Sequence, residues 1–355
     1  MTYNFNAGPS ILPQDVLHKA SEAIINYNNS GLSILEIGHR TPLFEEIMHE
    51  ARSLVKELMQ LNETHEVLFL HGGASTQFMQ VPMNLLNEKN AAAYADTGVW
   101  SSKAIKEAKL FGNVEVVCSS KEAGYTNIPK DFAIGNDAKY FHYTSNNTIY
   151  GTQWKKTPFV SIPMVADMSS DIFSRSMDFN RFDLIYAGAQ KNIGCAGTNL
   201  VIINPAILGK VKRAIPTMMD YRNHIKEQSM LNTPPVFAIY VSMLTLQWLK
   251  KLGGIAEAEK LNKIKAEMLY NEIDDNPLFH GTVETDDRSM MNICFRAKDT
   301  ETENRFLTLC REHGIVGIKG HRLSGAFRAS VYNAMPVSSV KILVSLMQEF
   351  AKEGA

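Results

Sequence analysis

The chain has 355 residues, 45% of them apolar, with 36 Lys+Arg against 37 Asp+Glu and a formal net charge of −1. That balance lacks the clustered basic field that nucleic-acid or membrane-surface binding needs, and the length suggests two domains or one large domain with a satellite. Four cysteines (Cys118, Cys195, Cys294, Cys310) form no CxxC pair, which argues against a disulfide scaffold or a metal cluster and suits a cytoplasmic protein.

The opening residues show no basic-then-apolar pattern, so no signal peptide is expected. Asn6-Ala-Gly-Pro-Ser10 reads as a loop. Val16, Leu17, Ala20, Ala23, Ile24 and Tyr27 recur at helical spacing, which predicts a helix from about 13 to 27. Ile37-Gly-His-Arg-Thr-Pro42 is a second loop, with Thr41 as a cap and Pro42 at the first position of a helix reaching about 61. Glu66 to His71 reads as a strand, and Gly72-Gly-Ala-Ser75 turns it into a helix. Exposed N–H groups at such a helix start suit a phosphate, although an empty tight turn has the same signature.

Further strands are read at 90–95, 114–118, 140–144, around Val165, around Leu184 and at 198–204, alternating with helical patterns. This implies parallel βαβ units whose polar loops converge on one sheet edge. The stretch 205–235 is irregular. A helix from about 236 to 252 and another from about 255 to 274 are separated by Gly253-Gly254. Beyond them come strands at 290–295, 316–319 and 327–331 and helices at 300–313 and 337–353. The expected organisation is an N-terminal segment (1–15), a large domain (16–260) and a small C-terminal α/β domain (261–355). The stretch 235–249 is too short and too polar to cross a bilayer.

Two short buried runs carry the chemistry. One ends at Asp167. The other, Phe182-Asp-Leu-Ile-Tyr-Ala-Gly-Ala-Gln-Lys191, delivers a lysine to a strand end. A buried amine loses its proton at moderate cost and condenses with an aldehyde, and an acid nearby can hold a protonated ring nitrogen. That pair suits pyridoxal 5'-phosphate. Trp100 sits in a loop past a strand end, where an indole can stack on a flat ring. Thr148 lies in a polar loop, and Arg328 lies inside an apolar run where its charge needs an anionic partner. His39-Arg40 and His321-Arg322 are further cationic pairs. No HExxH or other metal-ligand spacing occurs, and no GxSxG nucleophile elbow.

These segments together resemble the class V, fold-type I pyridoxal-phosphate-dependent aminotransferases, in their serine-pathway branch. The resemblance spans essentially the whole chain. It is carried by Asn6-Ala-Gly-Pro-Ser10, Gly38-His-Arg40, Gly72-Gly-Ala-Ser75, Ala95-Asp-Thr-Gly-Val-Trp100, Asp167-Met-Ser-Ser170, Tyr186-Ala-Gly-Ala-Gln-Lys-Asn-Ile-Gly194, Asn232-Thr-Pro-Pro235 and Gly320 through Asn333. It implies a large, mainly parallel sheet sandwiched by helices plus a smaller C-terminal α/β domain. It implies that Lys191 carries the cofactor and moves the proton, and that Asp167 pairs with the ring nitrogen. Trp100 stacks on the ring and Thr148 bonds the phenolate. Ala74, Ser75 and Gln190 hold the phosphate, with Asn232 and Thr233 reaching in from a homodimer partner. Ser10, His39, Arg40, His321, Arg322 and Arg328 fall to the substrate, Arg328 on its α-carboxylate.

The implied reaction exchanges 3-phosphohydroxypyruvate and L-glutamate for O-phospho-L-serine and 2-oxoglutarate in serine biosynthesis. A related step on 4-phosphohydroxythreonine in pyridoxine synthesis is also credited to the family. Some members carry an arginine after Gly72-Gly-Ala, where this chain has Ser75, so that charge must come from elsewhere or be absent. Asn147 stands where an acid is more usual. The alternatives are a class V aminotransferase for glyoxylate or pyruvate, a cysteine desulfurase, or a non-catalytic protein that kept the fold. The desulfurase needs a mobile-loop thiol, and neither Cys294 nor Cys310 is in a loop-like segment.

Overall fold

The computed structural model describes residues 2–135 and 137–353; Met1, Asn136, Gly354 and Ala355 lie outside the described residues. In chain order the first elements are β1 (Tyr3–Asn4), α1 (Gln14–Asn26), α2 (Pro42–Met59), β2 (Glu66–Leu70), α3 (Gly73–Leu85), β3 (Ala91–Asp96), α4 (Val99–Ala108) and β4 (Asn113–Ser119). They continue with β5 (Ala138–Thr144), β6 (Met164–Asp167), β7 (Leu184–Gly188), β8 (Asn199–Ile203), α5 (Tyr221–Lys226), α6 (Val236–Leu252) and α7 (Gly254–Asp275). The last are β9 (Phe279–Gly281), β10 (Asn292–Ala297), α8 (Thr300–Glu312), β11 (Ile315–Val316), β12 (Phe327–Ser330) and α9 (Val337–Glu353).

The large sheet has the order β2-β8-β7-β6-β5-β3-β4. All its neighbour pairs are parallel except those of β8, which runs antiparallel to both β2 and β7. The expectation of a mainly parallel sheet holds, with one reversal. Its physical cause lies at the lysine. The connection from β7 to β8 is too short to carry a crossover helix, so the chain must turn back on itself. Lys191 therefore sits in a reversing loop at the same sheet edge as the ends of the parallel strands.

One apolar cluster fills the space between one face of this sheet and α1, α2 and α6; Phe44, Val55, Phe141, Ile185 and Ile239 belong to it. A second lies on the opposite face under α3 and α4. The third joins α7, α8 and α9 to the three-stranded antiparallel sheet β12-β10-β9. The boundary expected between 260 and 261 falls inside α7. That helix contributes Ala258 to the first cluster and Ala266, Leu269 and Ile273 to the third, so it serves both cores without a break.

Several local expectations change. Thr41 precedes α2 but makes no side-chain cap; its hydroxyl donates to Gly38 O at 2.7 Å instead. Leu110, which helical spacing with Ile105 and Ala108 would place on one packed side, is 72% exposed beyond the end of α4. The strand read at 316–319 gives way to the two-residue β11, which pairs in parallel with β1, a strand in the expected N-terminal segment. Neither strand is long enough to be read locally; each exists because the other is there.

Lys265 on α7 is fully buried without an acid partner. Its ammonium donates to Val331 O at 2.9 Å and Tyr332 O at 2.7 Å, and burial lowers its pKa to about 7. The unfolded chain returns it to its ordinary value near 10.5, so between these limits the unfolded state binds more protons. Stability should therefore rise as pH increases from 7 towards 10. Urea midpoints of Lys265→Met should show a flatter rise and an overall loss of about 1–3 kcal/mol from the two deserted carbonyls. Parallel curves for the two proteins would refute this.

Candidate active site

The ends of β2, β3, β5, β6 and β7 meet around a cavity of about 360 Å³. Its walls include Gly73, Trp100, Thr148, Asp167, Lys191 and Arg328. A larger groove of about 870 Å³ between α1, α2 and α6 shares none of these residues, and size alone does not make it a reaction site.

Lys191 is held by its backbone. Ser10 Oγ donates to Lys191 O at 2.6 Å, and Ser10 N donates to Gln190 O at 3.0 Å. Ile193 N and Gly194 N both donate to Ala189 O, curling the loop tightly. Only the lysine side chain is left to move. Its Nζ donates to Thr148 Oγ1 at 2.6 Å. Burial pulls the amine down to a pKa of about 8, Asp167 opposes this, and the Arg328 guanidinium adds to it. A useful fraction of neutral amine thus exists near neutral pH.

Asp167 closes β6 and is buried. Ser169 N donates to its Oδ1 at 2.9 Å. Burial raises its carboxyl pKa, while the Ser169 hydrogen bonds and the charge of Lys191 lower it. Such a carboxylate gains from a cationic N–H partner. Beside it, Ser169 Oγ accepts from Gly188 N at 3.0 Å and so locks the β6 and β7 ends together.

Trp100 is not in a loop, as its sequence neighbours suggested, but in the first turn of α4. Ser101 causes the difference: its hydroxyl accepts from Thr97 N at 2.9 Å and Gly98 N at 3.0 Å, capping the helix early. Gly98 is required by close approach, because a Cβ there would lie 2.5 Å from Asn147 Oδ1. At the other edge, Gly72 (φ +88°) and Gly73 (φ +65°) make the left-handed turn into α3. Thr198 Oγ1 and Asn199 Nδ2 bind Leu70 O and so tie β2 to the start of β8. Ala74 and Ser75 follow at the amino end of α3, where free N–H groups and the helix dipole suit an anion.

Arg328 enters from β12. Its Nη1 donates to Thr148 O at 3.1 Å and its Nε is buried without a partner. His321 lines the same cavity, and Arg322 is exposed next to it. Burial lowers the His321 pKa, and the charges of Arg328, Arg322 and Lys103 lower it further.

Other expected residues stand apart. His39 and Arg40 do not line this cavity, nor do Asn232 and Thr233. His71 Nε2 lies 2.9 Å from Thr233 O and 3.4 Å from Asn232 Nδ2, so this segment rests beside the Gly72 turn. Ser10 spends its hydroxyl on the Lys191 carbonyl. Residues that sequence reading passed over include Ala7, Gly8, Phe78, Thr144 and Asn146. Asn146 Nδ2 donates to Ser170 Oγ at 2.9 Å and Asn292 Oδ1 at 2.8 Å, while Tyr332 OH donates to Ala7 O at 2.8 Å. The polar run Ser145-Asn-Asn147 was a visible signal for it; the apolar members carried none.

The residues present fit a phosphorylated pyridine aldehyde. The site offers an amine with a depressed pKa and a buried carboxylate. Trp100 Nε1 and Thr144 Oγ1 are both buried without partners, and a glycine turn opens the α3 start. Among the described residues no group of three or more His, Cys, Asp and Glu is placed to hold a metal ion. Cys294 on β10 and Cys310 on α8 are buried, and burial pushes both thiols up to about 12, the reverse of what a nucleophilic thiol needs.

Fold and site define a class V aminotransferase, and the chain belongs to that family: the model of the aminotransferases of class V matches residues 2–343. The phosphoserine aminotransferase of Flavobacterium johnsoniae is 57% identical over 347 residues, covering 98% of each chain. The solved phosphoserine aminotransferase of Bacillus circulans subsp. alkalophilus is 42% identical over 100% of this chain and 99% of that one, with a TM-score of 0.97. That of Trichomonas vaginalis, solved with PLP bound, is 37% identical over 98% and 100%, with a TM-score of 0.92. Within the class the chain falls among the phosphoserine aminotransferases.

Proposed function

We propose that this chain transfers the amino group between L-glutamate and 3-phosphohydroxypyruvate, giving 2-oxoglutarate and O-phospho-L-serine for serine biosynthesis. The carrying observation is the Lys191 amine, with its pKa near 8, in one cavity with Asp167 and Arg328. Pyridoxal phosphate, when bound, supplies an aldehyde that takes an amine and a ring that accepts the electrons left by a departing proton.

In this reading Asp167, steadied by Ser169 N–H, keeps the ring nitrogen protonated. Lys191 takes the substrate α-proton and returns it one carbon away, its neutral form being accessible near pH 8. Thr148, whose Oγ1 lies 2.6 Å from that amine, would donate its hydroxyl to the cofactor phenolate. Trp100 covers the ring. Ala74, Ser75 and Gln190 hold the phosphate through backbone and amide donors. Arg328, with a free Nε, clamps the α-carboxylate. His321 and Arg322 face the distal carboxylate or phosphate, and Ser10 shapes the site through the lysine loop.

The reading includes a homodimer in which Asn232, Thr233, His39 and Arg40 complete the partner's site. Two observations support it: these residues do not line their own cavity, and Ile24, Ile25, Leu32 and Leu35 stand exposed on α1 and the loop after it. Sedimentation should give the mass of two chains. It also includes the cytoplasm, where four free thiols are at home. Among the described residues no helix is long and apolar enough to cross a membrane.

The test is a donor–acceptor panel. O-phospho-L-serine with 2-oxoglutarate should be turned over at least about 100-fold more efficiently than alanine with glyoxylate, because the cationic rim is left unpaired by a donor without a distal anion. Comparable efficiencies would favour a small-keto-acid enzyme and sink the assignment.

A further inference from the structure

We infer that Asn292 is a positioning residue for Arg328: its buried amide bridge to Asn146 fixes the strand that carries the guanidinium against the wall of the coenzyme cavity. The inference rests on the role proposed above for Arg328 at the substrate α-carboxylate.

Arg328 has little of its own to fix it. Its Nη1 donates to Thr148 O at 3.1 Å and its Nε is buried without a partner. Its place is set by the strand beneath it. Side chains alternate along β12, so Phe327 and Ala329 enter the third apolar cluster while Arg328 and Ser330 share the opposite face. On the neighbouring β10, Asn292 pairs with Ser330 and Cys294 with Arg328. This face lies on the loop 146–151 that carries Thr148. Cys294 Sγ donates to Ile149 O at 3.5 Å. A Cβ at Gly151 (φ +82°) would come within 2.8 Å of Asn292 O, so the two backbones approach as closely as a glycine permits.

Asn292 ties the two sides together. Its Oδ1 accepts from Asn146 Nδ2 at 2.8 Å, and its Nδ2 donates to Ser330 Oγ and to Tyr332 OH, each at 3.1 Å. Asn146 lines the cavity, and so does Ser170, whose Oγ accepts from Asn146 Nδ2 at 2.9 Å and donates to Asn146 O at 2.7 Å. Tyr332 OH reaches Ala7 O, on another wall. Asn146, Asn292, Ser330 and Tyr332 are all buried. A satisfied polar network out of reach of water holds one geometry, because every alternative leaves a polar group unpaired. A shift of β12 would carry the guanidinium with it, while Lys191 and Asp167 stay on the large sheet. Asn292 therefore serves the grip on substrate rather than the hold on coenzyme.

For Asn292→Ala the KM for L-glutamate should rise about tenfold, with kcat kept within about threefold. Hydroxylamine, an amine without a carboxylate, should react with the coenzyme of the holoenzyme at a rate unchanged within about twofold. The deciding readout is a double-mutant cycle in kcat/KM. Arg328→Leu alone should lose about 100-fold, and adding Asn292→Ala should lose no more than about twofold further, because a residue acting through Arg328 then has nothing left to position. Ser330→Ala removes one bond from the bridge, leaves little empty space, and should raise the KM for L-glutamate about threefold with the same selectivity.

Additive losses in the cycle, or hydroxylamine reactivity falling in step with L-glutamate turnover, would mean that Asn292 only holds the fold together and would overturn the inference. Unchanged constants would do the same. If Asn292→Ala does not fold, the same cycle with Ser330→Ala decides on the same terms. If Arg328→Leu leaves the KM for L-glutamate unchanged, the α-carboxylate assignment fails and takes the inference with it. If Arg328→Leu raises it while Asn292→Ala and Ser330→Ala do not, the inference alone fails.

Discussion

Lys191→Ala should remain folded, lose the visible absorbance of covalently held coenzyme and lose at least about 10⁴-fold in kcat. The fold should survive because the lysine loop is set by backbone contacts: the Ser10 bonds and the curl onto Ala189 do not involve the Lys191 side chain. The loss should be this large because one amine serves as both attachment point and proton carrier. Among the described residues the cavity lining holds no second lysine, and the Arg328 guanidinium in it is hydrogen-bonded to Thr148 O. Borohydride reduction of the wild-type holoenzyme followed by peptide mapping should label Lys191. Label on another residue, or turnover by the alanine variant, would end the assignment.

Asp167→Asn should keep its coenzyme yet slow the proton-abstraction step by about 10²–10⁴-fold in single turnover. Removing one partner of a buried charge pair costs about 3–5 kcal/mol, and each 1.36 kcal/mol is a factor of ten in rate. The amide is neutral, so it cannot favour a protonated ring nitrogen, while its shape still fills the end of β6. Stability supplies an independent readout. Burial raises the Asp167 pKa in the folded, coenzyme-free chain, so ionised Asp167 costs stability as pH rises through the carboxylate range. The asparagine variant should therefore melt no lower than wild type without coenzyme, and should gain less than wild type when coenzyme is added. An unchanged single-turnover rate would remove Asp167 from the mechanism.

Much of this site could be read before any coordinates. Lys191, Asp167, Trp100, Thr148 and Arg328 were each expected at or near a strand end or in an apolar run, and all five line one cavity. The reading singled out Arg328 because burial and charge conflict visibly in one dimension between Phe327 and Ala329; Lys191 reads equally as a solvated strand terminus, and the resemblance singled it out. The reading failed where the reason was a distant partner. β1 and β11 are two residues each and make sense only as a pair. α4 begins before Trp100 because Ser101 reaches back to two N–H groups, a side-chain choice that composition does not reveal.

Alone, the residue order determined the class of chemistry, the alternation of strands and helices, and the glycine turn that opens α3, since periodicity, burial preference and backbone freedom act over a few neighbours. Packing in three dimensions decided the rest. It reversed β8 because the lysine loop is too short for a crossover, and it ran α7 through both cores. By desolvation it also brought the Lys191 amine to a pKa near 8. Those outcomes depend on which surfaces exclude water together, a property of the folded whole that no local stretch carries.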